Sequence, residues 1–212
     1  VGAPDAAVTQ QLQQFAAPNN FDVMLFAGPA GAAAITQDDF HVNTFRLCPS
    51  VAQYGRGDAE DTTGYMLLSG NSIAQTVDSL SNISVGTQML TPYVSVDTEA
   101  NRWLIERHAS LFGSQPELYT GCGFATGQAL YAALSATGGD PFPDVMIPAL
   151  ENLTIDAPEG TYTIRESDHQ ASRPLFIVNY AGGTDLDIVQ AISSIDSEIA
   201  CNLPEDLASR CN

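Results

Sequence analysis

The sequence contains no lysine. Its seven basic residues are all arginine, set against 25 acidic residues, and the formal net charge is -18. Such a surface repels phosphate backbones, which argues against a nucleic-acid partner. It also repels anionic membrane surfaces. The charge favours solubility at the cost of self-repulsion, which salt screens. A saline habitat and an ordinary acidic secreted protein both fit. No apolar run approaches the roughly 20 residues that cross a bilayer. The chain opens at Val1 without an initiator methionine, a basic n-region or an apolar h-region. A processed product, a fragment and the later part of a longer chain all begin in this way.

The chemistry-bearing motifs are missing as well. The three histidines, His41, His108 and His169, make no i, i+4 metal pair. The four cysteines, Cys48, Cys122, Cys201 and Cys211, include no C-x-x-C. Neither a metal nor a cofactor is expected. No G-x-S-x-G elbow, phosphate-cradling Walker loop or G-x-G-x-x-G turn is present. Asp168 and His169 are adjacent in sequence, which is poor geometry for the orienter and base of a triad. No catalytic residue is expected, and the chain does not read as an enzyme. The acidic stretch GRGDAEDTTG lacks the ligand alternation and central glycine of a calcium loop and reads as a solvated loop. Its Arg56-Gly57-Asp58 is too short a match to carry weight. The sequons at Asn82 and Asn152 matter only in a glycosylating secretory pathway.

What is present suffices for a core: 44% of residues are hydrophobic. Residues 5–17 read as an amphipathic helix stopped near Pro18. Phe21 to Ala27 reads as a strand buried on both faces, ending at Gly28-Pro29. Ala30 to Ile35 starts a helix, so the chain opens in an α/β rhythm. Residues 48–64 read as a polar, glycine-rich connection. Tyr65 to Ser69 and Thr87 to Val94 read as strands, with a short helix at Ser72–Leu80 between them and Pro92 marking the sheet exit. The clearest helix starts at Asp97 as N-cap and ends at Gly113, with Ala100, Trp103, Leu104, Leu111 and Phe112 on one apolar face. Further helices run from Gly121 to Thr137, with Leu130 and Leu134 four apart, and from Asp144 to Leu150. Tyr162–Arg165, Pro174–Tyr180 and Asp187–Ala191 read as short strands, followed by a polar tail. Cys201 and Cys211 flank the loop NLPEDLASR, where a disulfide would pin a terminal segment. Cys48–Cys122 is the pairing that remains, and free buried thiols are the alternative.

The last third carries a family resemblance. From Tyr119 the chain reads YTGCGFATGQALYAAL, then GGDPFPDVMIPALENLTIDAPEGTYTIRESDHQ. The marks are Leu134, Gly139-Asp140, Ala149-Leu150, Pro158-Glu-Gly160, Ile164-Arg165 and Asp168-His169-Gln170. Upstream, Asp97 to Asn101 through Phe112-Gly113, with Pro116, is similar to a second family helix, and Phe21 to Gly28 to a family strand. Together they resemble the C-terminal half of the type I periplasmic solute-binding proteins of ABC transporters, in the branched-chain amino acid and amide/urea group.

The resemblance implies an α/β fold of that type: a parallel sheet flanked by helices, with part of a second lobe. Residues 1–92 would form a second-lobe-like segment, 93–165 the helices and strand returning to the first lobe, and 166–212 a hinge strand and C-terminal segment. It further implies capture of a small polar ligand, an amino acid, amide or urea, in a cleft between lobes joined by three crossing strands. A membrane permease would be the partner, and the location extracellular or periplasmic, with anchoring through a segment beyond this sequence. By position, Gly28, Asn71 and Tyr119 would line the cleft, and Asp168, His169 and Gln170 would serve the hinge. Other readings are a secreted structural subunit of an extracellular assembly, a hydrolase, and a ligand-sensing regulator of the same fold. The structural reading expects another chain to cover an exposed apolar face over 97–150.

Overall fold

The structure is a computed structural model that describes residues 2–3, 5–19, 22–56, 65–68, 72–79 and 83–211. The apolar run after Pro18 folds as a short central strand, β2 (Leu25–Ala27), buried along its length. It pairs in parallel with β1 (Gly2–Ala3) and β3 (Thr44–Arg46). Helix α1 (Ala6–Asn19) connects the first two. Residues 22–24 are not strand, and the expected helix over Ala30–Ile35 is a single 3-10 turn at Ala33–Thr36, with Ile35 fully buried.

The polar connection over 48–64 begins as a helix, α2 (Val51–Arg56). Ser50 and Gln53 exchange side-chain and backbone hydrogen bonds across its first turn, a local cap that composition alone hid. Next come β4 (Met66–Leu67), α3 (Ile73–Ser79) and β5 (Gln88–Thr91), which leaves its sheet at Pro92 as expected.

Helix α4 (Glu99–Phe112) is capped by Thr98, not Asp97: the Thr98 hydroxyl accepts from the Asn101 amide, while Asp97 pairs with Arg102. Gly113 ends it in the left-handed region, at φ 68°, where a side chain would be strained. Its apolar stripe is not a buried face. Leu104 is covered, but Trp103, Leu111 and Phe112 are more than half exposed.

Helix α5 (Thr120–Ala136) buries an alanine stripe, with only Leu134 of the expected Leu130–Leu134 pair packed partly against the same core. Ala125, Ala129 and Ala133, at i, i+4 spacing, are fully covered, and Leu130 faces out. These small side chains bring the helix close to β6 (Thr154–Ala157), a strand absent from the sequence reading. Helix α6 (Pro143–Leu150) starts on a proline at its first turn. Strand β6 joins β7 (Gly160–Ile164) and β8 (Ala171–Ser172) in an antiparallel sheet. Strands β9 (Leu175–Gly182) and β10 (Asp185–Ile192) form a hairpin that completes a four-stranded sheet in the order β10-β9-β5-β4, with β4 and β5 parallel.

Among the described residues, four apolar clusters group into two cores, one around the two three-stranded sheets and one around the four-stranded sheet. The first packs Phe26, Phe45, Met146, Leu150, Tyr162 and Ile164 with the α5 alanines. The second lies on both faces of the four-stranded sheet, with Leu68, Met89 and Val178 on one side and Leu90, Leu175 and Ile177 on the other. Both disulfides form. Cys48–Cys122 staples the segment after β3 to the first turn of α5, and Cys201–Cys211 closes the C-terminal loop. The tail is not merely polar: Ser197 and Ile199 are buried, and it ends in a 3-10 turn at Ala208–Cys211.

Candidate ligand-binding site

Among the described residues, and before the C-terminal segment returns, the chain passes between the two cores three times: after β3, after β5, and between β8 and β9. Buried side chains tie these crossings together. Arg173, fully buried on the third, donates to the Leu47 carbonyl on the first at 3.5 Å and to the Pro92 carbonyl on the second. Gln170 donates to the carbonyls of Arg46 and Cys48 at 3.3 and 3.2 Å. Gln53 donates to the Ala171 carbonyl at 2.9 Å. A buried charge needs partners on every side. Arg173 finds the Tyr162 ring 4.6 Å beneath it and the Glu159 carboxylate at 3.7 Å. That carboxylate also accepts from the Tyr162 hydroxyl at 2.7 Å. Burial raises the Glu159 pKa, and Arg173 only partly offsets this.

Arg46 is the second fully buried cation. Its guanidinium donates to Gln170 Oε1 at 2.6 Å, to the Ala30 and Ala32 carbonyls at 2.9 and 2.6 Å, and to the Thr36 hydroxyl at 2.7 Å. Burial lowers its pKa to about 9, so it stays charged at neutral pH. It thereby fixes the loop that follows Gly28. Sequence reasoning missed Arg46, Arg173 and Glu159. The available signal was scarcity: with seven basic residues in all, two sit inside apolar runs, TFRLC and ASRPLF.

Asp168, His169 and Gln170 are all buried, and His169 and Gln170 bond to residues 44–48 of the first crossing. Asp168 pairs with Arg165 through both carboxylate oxygens and not with the adjacent histidine. His169, with φ 55°, stacks on Phe45 at 3.9 Å, and its carbonyl accepts from the Arg46 amide at 3.0 Å. Its Nδ1 lies 3.2 Å from the Thr44 carbonyl. Gly28 is half-buried in the turn after β2, where its carbonyl accepts from the Ala30 amide. Tyr119 is half-buried at the start of α5; burial raises its pKa and the nearby Arg173 charge opposes the shift. Asn71 lies outside the described residues, as do most of the GRGDAEDTTG loop and the Asn82 sequon.

Two large open cavities lie elsewhere. One of about 490 Å³ is bounded by Ile73, Tyr93, Ile105, Glu117 and the β9–β10 turn. The other, of about 530 Å³, is lined by Trp103, Phe124, Gln128 and Asp156. Neither Gly28 nor Tyr119 lines them. Among the described residues no group of three or more His, Cys, Asp or Glu could hold a metal ion.

A family model described as periplasmic binding protein matches residues 7–184. The chain belongs to that family, with its type I fold. Three solved structures share the fold. An ABC-type branched-chain amino acid transporter protein from Rhodopseudomonas palustris superposes with a TM-score of 0.75 at 16% identity, covering 94% of this chain and 79% of the other. The leucine-, isoleucine-, valine-, threonine- and alanine-binding protein of Brucella ovis, in its closed conformation, gives 0.71 at 15% identity, covering 96% and 80%. A solute-binding protein from Rhodopseudomonas palustris in complex with benzoate gives 0.69 at 16% identity, covering 89% and 75%. A search of curated proteins finds no match. The family and fold are those of extracytoplasmic substrate-binding proteins that serve ABC transporters, not of enzymes. Among the described residues no helix is long and apolar enough to cross a membrane.

Proposed function

We propose that this periplasmic binding protein captures a small polar ligand of the amino acid, amide or urea class in a cleft between its two cores and delivers it to a membrane permease. The observation that carries the reading is Arg173, which is fully buried on one crossing and bonded to carbonyls on the other two. Such a rivet holds three segments in register while the bodies on either side rotate, as hinge closure requires. Asp168, His169 and Gln170 serve this joint, just before the third crossing. Gly28, Asn71 and Tyr119 contact the ligand: a turn that lets backbone approach closely, an amide that donates and accepts, and an aromatic wall.

Isothermal titration with leucine, alanine, acetamide, urea and benzoate tests the reading. The proposal expects saturable binding of at least one of the first four, weakened in Tyr119→Ala with the fold intact. Binding of benzoate alone overturns the ligand class, and no binding by any overturns the autonomous cleft.

A second reading, a secreted structural subunit, draws on the exposed apolar side chains over 97–150. Phe112 is 70% exposed and Tyr131 76%, beside Trp103 and Leu111. In that case another chain covers this face, and light scattering reports an oligomer that Phe112→Ser dissociates. A monomer at all concentrations removes this reading.

A further inference from the structure

After β10 the chain turns back along the third crossing. The Ser197 hydroxyl donates to the Arg173 carbonyl at 2.5 Å, and Ser172 donates to Glu198 at 3.0 Å. Arg165 donates to the Ile199 carbonyl. The Cys201–Cys211 disulfide closes this strap, and beside it Arg210 reaches back into the fold. Its guanidinium meets the Glu151 carboxylate at 2.7 Å, the Ser167 carbonyl at 3.1 Å, the Glu166 carbonyl and the ring of Phe40. It also lies 3.0 Å from Nε2 of the buried His169.

That nitrogen has two partners with opposite demands. Glu151 Oε1, 2.9 Å away, can only accept, and Arg210 can only donate. The Thr44 carbonyl can only accept, so Nδ1 carries a hydrogen. With Nε2 bare, the ring is neutral and shares a hydrogen of Arg210 Nη2, whose two hydrogens also serve Glu151 and the Glu166 carbonyl. With Nε2 protonated, the ring is a cation that donates to Glu151 and is repelled by Arg210. The remaining neighbours take no side: Phe45 and Phe40 are uncharged, and Arg165 and Asp168 pair with each other.

We propose that Arg210, held in place by the Cys201–Cys211 disulfide, is a positioning residue for the joint: it keeps His169 neutral and the Asp168–Gln170 turn docked on residues 44–48. The inference rests on reading the crossings as a hinge. The consequence is a contact between strap and joint that distant sequence positions 210 and 169 do not suggest.

The test compares the full chain with Arg210→Met, Arg210→Lys and a Cys201→Ser/Cys211→Ser double variant. NMR titration of the His169 imidazole and amide hydrogen exchange at Arg46 and Gln170 are read, with the Leu90 amide as a remote control. The expected result is a higher His169 pKa in Arg210→Met, with exchange at Arg46 and Gln170 about tenfold faster and Leu90 unchanged. Arg210→Lys restores the titration. The double variant, which keeps Arg210 but frees the strap, moves both readouts in the same direction as Arg210→Met and remains informative should Arg210→Met fail to fold. An unchanged His169 titration in Arg210→Met and the double variant overturns the proposal, even if melting temperature falls, since Arg210 would then be packing only. A shifted titration with unchanged exchange at the crossing also overturns it. These readouts need no ligand, so failure of the hinge reading itself shows separately, as solution scattering that does not contract on saturation with whichever of leucine, alanine, acetamide or urea binds.

Discussion

At the scale of single residues, Gly121 is the most exacting position. It lies in the first turn of α5, and a β-carbon there would sit 1.7 Å from Glu159 Oε1. The buried carboxylate thus lies in the space a side chain would take, where the positive end of the helix dipole favours it. Glycine inside a helix normally costs about 1 kcal/mol relative to alanine. Gly127 in the same helix has open space around it, so Gly127→Ala should raise stability by roughly 0.5–1 kcal/mol. Gly121→Ala should do the reverse, lowering stability by about 1–3 kcal/mol as Glu159 is forced off Arg173 and Tyr162. Urea unfolding of the two variants checks the opposite signs; equal stabilisation would mean the Glu159 side chain moves aside freely.

At the scale of elements, the strap, the end of α6 and the β7–β8 turn meet at His169, and this junction makes stability depend on pH. Burial lowers the folded-state pKa of His169 below its ordinary 6.5, and Glu151 opposes the shift only in part. A group depressed in the folded state binds protons more readily when unfolded. Its stabilising contribution is therefore complete above pH 6.5 and is lost as pH falls from there toward the folded value. Acidification also neutralises carboxylates and relieves the overall negative charge, which acts the other way. The comparison with His169→Gln separates the two effects. Between about pH 7.5 and 5.5 the native chain should lose more stability than the variant. Parallel pH profiles by thermal unfolding would remove His169 as the titrating group.

At the scale of the whole molecule, a net charge of -18 without a single lysine leaves long-range repulsion that local pairs do not cancel. The Debye length shrinks from about 30 Å at 0.01 M salt to about 3 Å at 1 M. Sodium chloride should therefore raise the melting temperature over that range, by about 2–4 °C for each kcal/mol of repulsion removed. A flat response would mean that the charges are spaced widely enough to be indifferent to screening. The Arg165–Asp168 pair, shielded from water, should contribute little to the salt dependence, whereas the exposed Arg102–Asp97 pair should weaken as salt rises.

The sequence by itself determined what local patterns encode. Periodicity and caps placed α4, α5 and α6 within a few residues, Pro92 marked the exit of β5, and motif order in the last third carried the family. Apolar strand β9 was legible because it is buried nearly throughout. Tertiary structure decided what depends on distant partners. Which stripe of α5 is buried follows from the sheet laid against it, so the alanines won over Leu130. The exposure of Trp103 and Phe112 follows from what does not cover α4. Arg46 and Arg173 merely interrupt apolar runs in one dimension; they are interior because carbonyls and side chains far along the chain converge to replace their water. The joint between the cores exists only once three separated segments meet, and no local pattern specifies that meeting.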